Sequence, residues 1–302
     1  MKKIFNLSWK IILLTILYAI FFSLGGSLLG PKLPVDAAMQ AGALRALPLV
    51  CLVDTLVLAL VILRSNWGGW RLMLAAAVSY YGVQTFMAQI ESAYFGPALG
   101  ITPDMLPGLF ASSLPIVVIF IPLAVLILGK GRSGDEDPAA AQRLAIPAGQ
   151  WAWKLAVIAI MYLILYFSFG FFVAWQNPNL AAMYGNGANQ QIFDYSRLIP
   201  LQLGRGILWL LFALPVIRMS KGSPWQIALI VGLLLALPMN VSHAFPNPIM
   251  PDPGVRLSHF IETATSNFIF GVLLTHLVLW RPAHTARTVQ DRQPLKVGQD
   301  NS

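Results

Sequence analysis

The sequence predicts an all-α protein, a polytopic membrane helical bundle of about eight transmembrane helices, probed by three observations. Only 11% of the 302 residues are charged while 57% are hydrophobic, against about 25% charged in a soluble domain. Apolar runs near 20 residues recur along the whole chain, which is the length that crosses a hydrocarbon core of about 30 Å. The lysines and arginines are sorted between alternate loops. A surface so poor in charge faces lipid.

In chain order the apolar runs place spans at 9–29, 44–63, 70–94, 109–128, 151–175, 198–217, 225–241 and 260–280. The sixth is interrupted by Pro200, Arg205 and Pro215. With the N-terminus inside, the inner loops carry Arg64, Arg71, Lys130, Arg132, Arg143, Arg218, Lys221 and both charged ends of the chain. The outer side carries only Lys32, Arg45, Arg197, Arg205 and Arg256. This bias predicts a multi-pass protein of the plasma (inner) membrane with both termini cytoplasmic. Trp9, Trp70, Trp151, Trp153, Trp225 and Trp280 fall at the inner ends, where an interfacial aromatic belt belongs. Met1-Lys2-Lys3 followed by an apolar run also fits a secretory signal, but the run continues to Leu29, beyond a usual signal core.

The chain also matches itself. Trp9-Lys10-Ile11 aligns with Trp153-Lys154-Leu155, and without gaps Ile16, Tyr18, Ile20 and Gly26 then meet Ile160, Tyr162, Ile164 and Gly170. At similar offsets Arg64 meets Arg218 and Trp70 meets Trp225. Two four-helix membrane repeats are expected, at 1–129 and 151–281, joined by a cytoplasmic linker at 130–150 and followed by a disordered tail at 282–302. An even number of spans per copy makes the repeats parallel, related by an axis along the membrane normal.

The net charge of +8 does not indicate nucleic acid, because the basic residues follow the loops instead of gathering on one face. Cys51 is the one cysteine, which excludes an intrachain disulfide and a cysteine metal site. No cofactor is expected: a phosphate-binding glycine loop, a nucleophile elbow and a Cys-x-x-Cys-His motif are all absent. Nor does any span hold the adjacent glutamates that open the signature of membrane-embedded prenyl-protein peptidases. The expected partners are the lipid bilayer and a small molecule or ion.

Chemistry would rest on the polar residues inside the spans, since an ionisable group in hydrocarbon requires a sheltered partner. Asp54 lies mid-span; by register its expected partner is Arg205, as part of a pathway or as a structural ion pair, and the alternative is a protonated Asp54 bonded to a neighbouring hydroxyl. On the third span Gln84 and Glu91 belong to a stripe with Tyr80, Tyr81, Thr85, Gln89, Ser92 and Tyr94 that must face a wet cavity or another polar helix. Arg256, His259, Glu262, Thr263, Ser266 and Asn267 share one face at the start of the last span. His243, at the end of the seventh, approaches the same boundary. His243, His259 and Glu262 form a weak metal candidate of two-histidine, one-carboxylate type. The tract 245–254 is rich in proline and expected to be non-helical. The neutral, amide-rich 176–197 reads as a loop or a lid. These features favour a transporter- or permease-like protein with an outward-facing vestibule. The alternatives are a membrane-embedded acid/base or metal enzyme acting on a lipid-linked or exported substrate, and a non-catalytic assembly or sensory subunit.

Overall fold

The computed structural model describes residues 2–32, 36–132, 142–185, 194–247 and 250–281, and these are mostly helix, with no strand among them. The linker acids Asp135, Glu136 and Asp137, the loop 186–193 and the tail 282–302 lie outside the described residues.

Helix α1 runs over Lys2–Leu28 and α2 over Ala37–Leu63, where Asp36 caps the start by accepting the Met39 amide at 2.7 Å. Helix α3 spans 69–99: Gly69–Tyr81, a π turn at Gly82–Phe86, then Met87–Leu99. Gly100, at φ 68°, ends it in the left-handed conformation that glycine adopts at no steric cost. Helix α4 occupies Pro103–Ile127 and holds a second π turn at Ile116–Phe120.

The second half comprises α5 (Ala148–Phe172), the short α6 (Pro178–Gly185), α7 (Tyr195–Met219), α8 (Pro224–Asn240) and α9 (Pro253–Leu279). A capping box of Ser223 and Gln226 starts α8. Two expectations change here. Part of the amide-rich segment is the helix α6. Helix α9 begins several residues before the expected 260, because Asp252 accepts the Val255 amide and Pro253 sits in the first turn. The non-helical proline tract therefore stops at Asp252.

Among the described residues seven helices are long and apolar enough to cross a bilayer: α1, α2, α4, α5, α7, α8 and α9. The chain is a multi-pass membrane protein. The expectation of about eight spans changes at α3, which forms over the predicted third span but is not among the seven. Its polar stripe dilutes its apolar content, and packing explains why that is tolerated. Helix α3 lies against α2, α4, α7 and α8, so its polar residues meet protein before they meet lipid.

Packing divides by halves. In the first half α1 packs on α2 and α4, α2 on α3, and α3 on α4; in the second, α5 packs on α7 and α9, α7 on α8, and α8 on α9. Between the halves α2 meets α8, and α3 meets both α7 and α8. At one end, two loops pair as an antiparallel bridge between Ser65 and Ser220: Asn66 N–H donates to Met219 O, and Lys221 N–H donates to Arg64 O, each at 2.6 Å. Arg143 donates to the Ser220 carbonyl, and Lys130 donates to that of Ser65.

The faces sort as a bilayer requires. Ile16 and Ile20 on α1 are 54% and 53% exposed, and Ile160 and Ile164 on α5 are 51% and 58% exposed. Between them point Tyr18 and Tyr162, both buried, each in an edge-on ring contact with a phenylalanine of the last long helix in its half. Tyr18 meets Phe120 at 5.2 Å and Tyr162 meets Phe270 at 5.0 Å. Lys154 is fully buried and staples α5 to the end of α9, donating to Val278 O at 2.9 Å and Trp280 O at 2.7 Å. That position matches a cation to the carbonyl end of a helix.

Helices α8 and α9 approach through glycines, as membrane helices do when backbones pack directly. A Cβ on Gly271 would stand 2.9 Å from the Gly232 Cα, whereas one on Gly26 would meet nothing within 4 Å. Gly271→Val should cost about 1–3 kcal/mol by overpacking and lower the thermal midpoint in detergent, while Gly26→Ala should leave it unchanged. Equal midpoints for the two variants would contradict the close α8–α9 contact.

Candidate functional site

A cavity of about 550 Å³ lies between the halves, bounded by α1, α3 and α4 on one side and by α5, α7, α8 and α9 on the other. Its polar lining includes Gln84, Glu91, Arg205, His243, His259, Glu262 and Asn267; its aromatic lining includes Phe22, Phe95, Tyr162, Tyr166, Phe167 and Phe171.

The central contact joins α3 to α7. Arg205 Nη1 lies 2.7 Å from Glu91 Oε1 and donates to Gln202 Oε1 at 3.0 Å. Its guanidinium carbon stands 5.6 Å from the centre of the Tyr162 ring. Arg205 is 2% exposed and Glu91 17%, so the pair sits where water screens it weakly. Gln202 is one turn from Arg205 on the same helix face, which places its amide oxygen where the buried cation needs a second acceptor.

Across the cavity, His259 Nδ1 lies 3.3 Å from Glu262 Oε2, one helical turn along α9. His243 presents its ring edge-on to His259, with centroids 4.9 Å apart. Thr263 donates to the His259 carbonyl at 2.6 Å, and Asn267 continues the same face toward the interior.

The π turn of α3 immediately precedes this site. Gln84 and Glu91, seven residues and so about two helical turns apart, both reach the cavity, and the turn lies just before Met87. Gly82 permits the turn's packing: a Cβ there would fall 2.1 Å from the Phe212 ring. Thr85 turns toward α4 and donates to Ser113 at 2.7 Å.

Two expected site residues lie elsewhere. Asp54 is 2% exposed and does not line the cavity. It accepts from the Tyr18 hydroxyl at 2.9 Å, and that hydroxyl is 2.5 Å from the Tyr80 hydroxyl. The expected Asp54–Arg205 pair is therefore not formed. The reason is placement: α2 packs on α1, α3 and α8, while α7 packs on α3, α5 and α8, so α1 offers Asp54 the Tyr18 hydroxyl and α3 offers Arg205 the Glu91 carboxylate. Arg256 is also withdrawn from the cavity. It is buried and donates to Met250 O at 2.9 Å and Pro251 O at 2.6 Å, fixing the end of the proline tract.

The metal candidate is not assembled either. Among the described residues no three His, Cys, Asp or Glu side chains are grouped closely enough to hold a metal ion. His259 and Glu262 touch each other, while His243 offers His259 a ring contact.

Compared with known family models, curated proteins and solved structures, the chain matches none.

The rim is tied down by two asparagines that follow α5. Asn177 donates to Ser258 at 3.0 Å, and Asn179 donates to Asp252 Oδ2 at 3.1 Å. The Val255 amide, with smaller help from Gly254 and Asn179, holds the Asp252 carboxyl below the usual carboxylate range. A depressed carboxylate stabilises the fold above its unfolded pKa and loses that contribution as pH falls through the folded value. Asp252→Ala should therefore speed amide exchange at the start of α9 at neutral pH, with the difference from the parent vanishing in acid. A difference that persisted below the folded pKa would contradict the cap.

The Glu91–Arg205 pair makes a second prediction. Arg205→Met strands a carboxylate in a cavity and should destabilise by about 1–3 kcal/mol after allowance for Glu91's partial exposure. The double variant Glu91→Gln/Arg205→Met should recover part of that loss in a thermal-melt cycle. Strictly additive losses would show that the two side chains are not coupled.

Proposed function

We propose that this protein is a transporter- or permease-like membrane protein whose solute site is the cavity between its two halves. The observation that carries the reading is the Glu91–Arg205 pair, an ion pair contributed by helices of opposite halves and facing an interior cavity large enough for a small organic molecule. Ionisable groups at mid-bundle interfaces between helical units are where parallel-repeat transporters bind their solutes.

The proposed frame is an internal duplication, 1–129 and 151–281, with α3 crossing as the polar eighth span. The like neighbours of Tyr18 and Tyr162, and the pairing of the Arg64 loop with the Arg218 loop, support it. Eight crossings would keep both termini on the cytoplasmic side of the plasma membrane, in line with the loop charges.

Charge and shape suggest the solute class. Two carboxylates, Glu91 and Glu262, face one permanent cation, Arg205, while His259 is charged only when protonated. Aromatic rings supply much of the remaining wall. An amphipathic organic cation satisfies both, through the carboxylate excess and through cation–π contact. Gln84 and Asn267 would orient its polar groups.

A second reading draws on the His259–Glu262 contact. An imidazole beside a carboxylate is an acid–base pair, and a membrane-embedded enzyme would use it on a substrate held in the same cavity.

Binding and flux of ethidium in proteoliposomes test the first reading. The parent protein should bind and move ethidium in preference to an anionic dye of similar size, and Glu91→Gln/Glu262→Gln should weaken binding at least about tenfold, equivalent to about 1.4 kcal/mol. Equal handling of cationic and anionic dyes would overturn the charge argument. Binding without flux, abolished by His259→Gln, would favour the enzyme reading.

A further inference from the structure

A second cavity, of about 460 Å³, lies between α3 and α7 at the end of the bundle that carries the Ser65–Ser220 bridge. It is separate from the solute cavity and has a different chemistry. Arg71 and Arg218 both line it, and both guanidinium groups lie against Trp67, at 4.6 Å and 5.5 Å from the ring centre. Cation–π attraction holds both cations against the one indole.

The apolar part of the groove follows from helix periodicity. On α3 the lining residues Arg71, Leu74, Ala75 and Val78 recur at steps of 3, 1 and 3; on α7, Leu211, Leu214, Pro215 and Arg218 repeat the same steps. Each set is one helix face. Arg71 stands at the beginning of its set and Arg218 at the end of its own, so antiparallel packing brings the two cations together at one end. From there an apolar trough extends about 10 Å along the helices. Leu74 and Leu211 are more than half exposed, which opens the trough sideways to the acyl chains of a bilayer.

We propose that this groove binds one anionic glycerophospholipid, its phosphate held by Arg71 and Arg218 and an acyl chain laid between Leu74, Val78 and Leu211. Guanidinium forks match phosphate oxygens in pairs, and basic pockets between membrane helices capture acidic headgroups. The exposed Trp70 ring stands at the mouth, at the depth where tryptophan prefers the interface. A free phosphate would use the arginines alone and leave the trough unused; a zwitterionic lipid would fill the trough and bring its own cation to the arginines.

The proposal is independent of transport and is tested on the full chain by native mass spectrometry. The protein, in a neutral detergent, is titrated with phosphatidylglycerol and with phosphatidylcholine of the same chain length. The parent should retain phosphatidylglycerol at least about tenfold more strongly. Arg71→Gln/Arg218→Gln should erase that preference, Arg71→Lys/Arg218→Lys should keep part of it, and Val78→Trp should weaken retention by filling the trough while the arginines stay intact. Millimolar glycerol phosphate should not displace the lipid. Equal retention of the two lipids by the parent would overturn the proposal even if no variant folded. So would an undiminished preference in the double glutamine variant, or displacement by glycerol phosphate alone.

Discussion

A charged side chain can persist inside a bilayer only if protein supplies what water would have supplied, and here α3 supplies it to both halves. Glu91 matches Arg205 across the interface at 2.7 Å, and two turns and more away Tyr80 closes the hydroxyl pair that serves Asp54. Removing the polarity of α3 would leave Arg205 with a single amide oxygen and Asp54 with a single phenol. Among the described residues α3 is the long helix left out of the seven apolar ones, and the fold sets it against four others. Its π turn lies between the stretches that serve the two partners.

That arrangement also explains which parts of the molecule were legible in the amino-acid sequence. Span positions were readable because lipid-facing isoleucines such as Ile16 and Ile160 recur on the outside regardless of what they pack against. The weak sixth span is a continuous helix, since Pro200 and Pro215 lie near its ends and Gln202 and Arg205 turn inward. The polar faces carrying Gln84 and Glu91 and carrying His259, Glu262 and Asn267 were readable from periodicity; that both line one cavity was not. Pairing was not readable. Asp54 and Arg205 have similar depths along their helices, but depth says nothing about which helix stands between them. Tyr18 carried the missing signal, as the buried tyrosine between two exposed isoleucines on a helix otherwise turned toward lipid.

The aromatic part of the cavity was hidden for a related reason. Phenylalanine and tyrosine are equally at home in a core, at a membrane interface and in a binding wall, so Phe95, Tyr166 and Phe167 carry no label in sequence. Only the separation of α1 and α4 from α5 makes them a lining. Helix α1 packs chiefly on its own half, and α5 on its own; the space between them is what the rings face.

On the proposed duplication Tyr18 and Tyr162 stand at matched positions, and what surrounds them differs. Tyr18 and Tyr162 make the same edge-on contact with a phenylalanine of the last long helix in their half. Beyond that contact their surroundings differ in charge. Tyr18 donates a hydrogen bond to an aspartate sealed in the core, away from the cavity. Tyr162 offers its ring to an arginine whose other face opens into the cavity and whose charge is met from across the interface. On the proposed duplication, one copy uses its buried ionisable residue to close its core, while the other turns an ionisable residue outward to the junction. A symmetric pair of acids would have repelled at that junction, and a symmetric pair of arginines would have needed two outside partners. An acid held at home and a cation presented across the interface let the halves pack closely and still leave charge available where they meet.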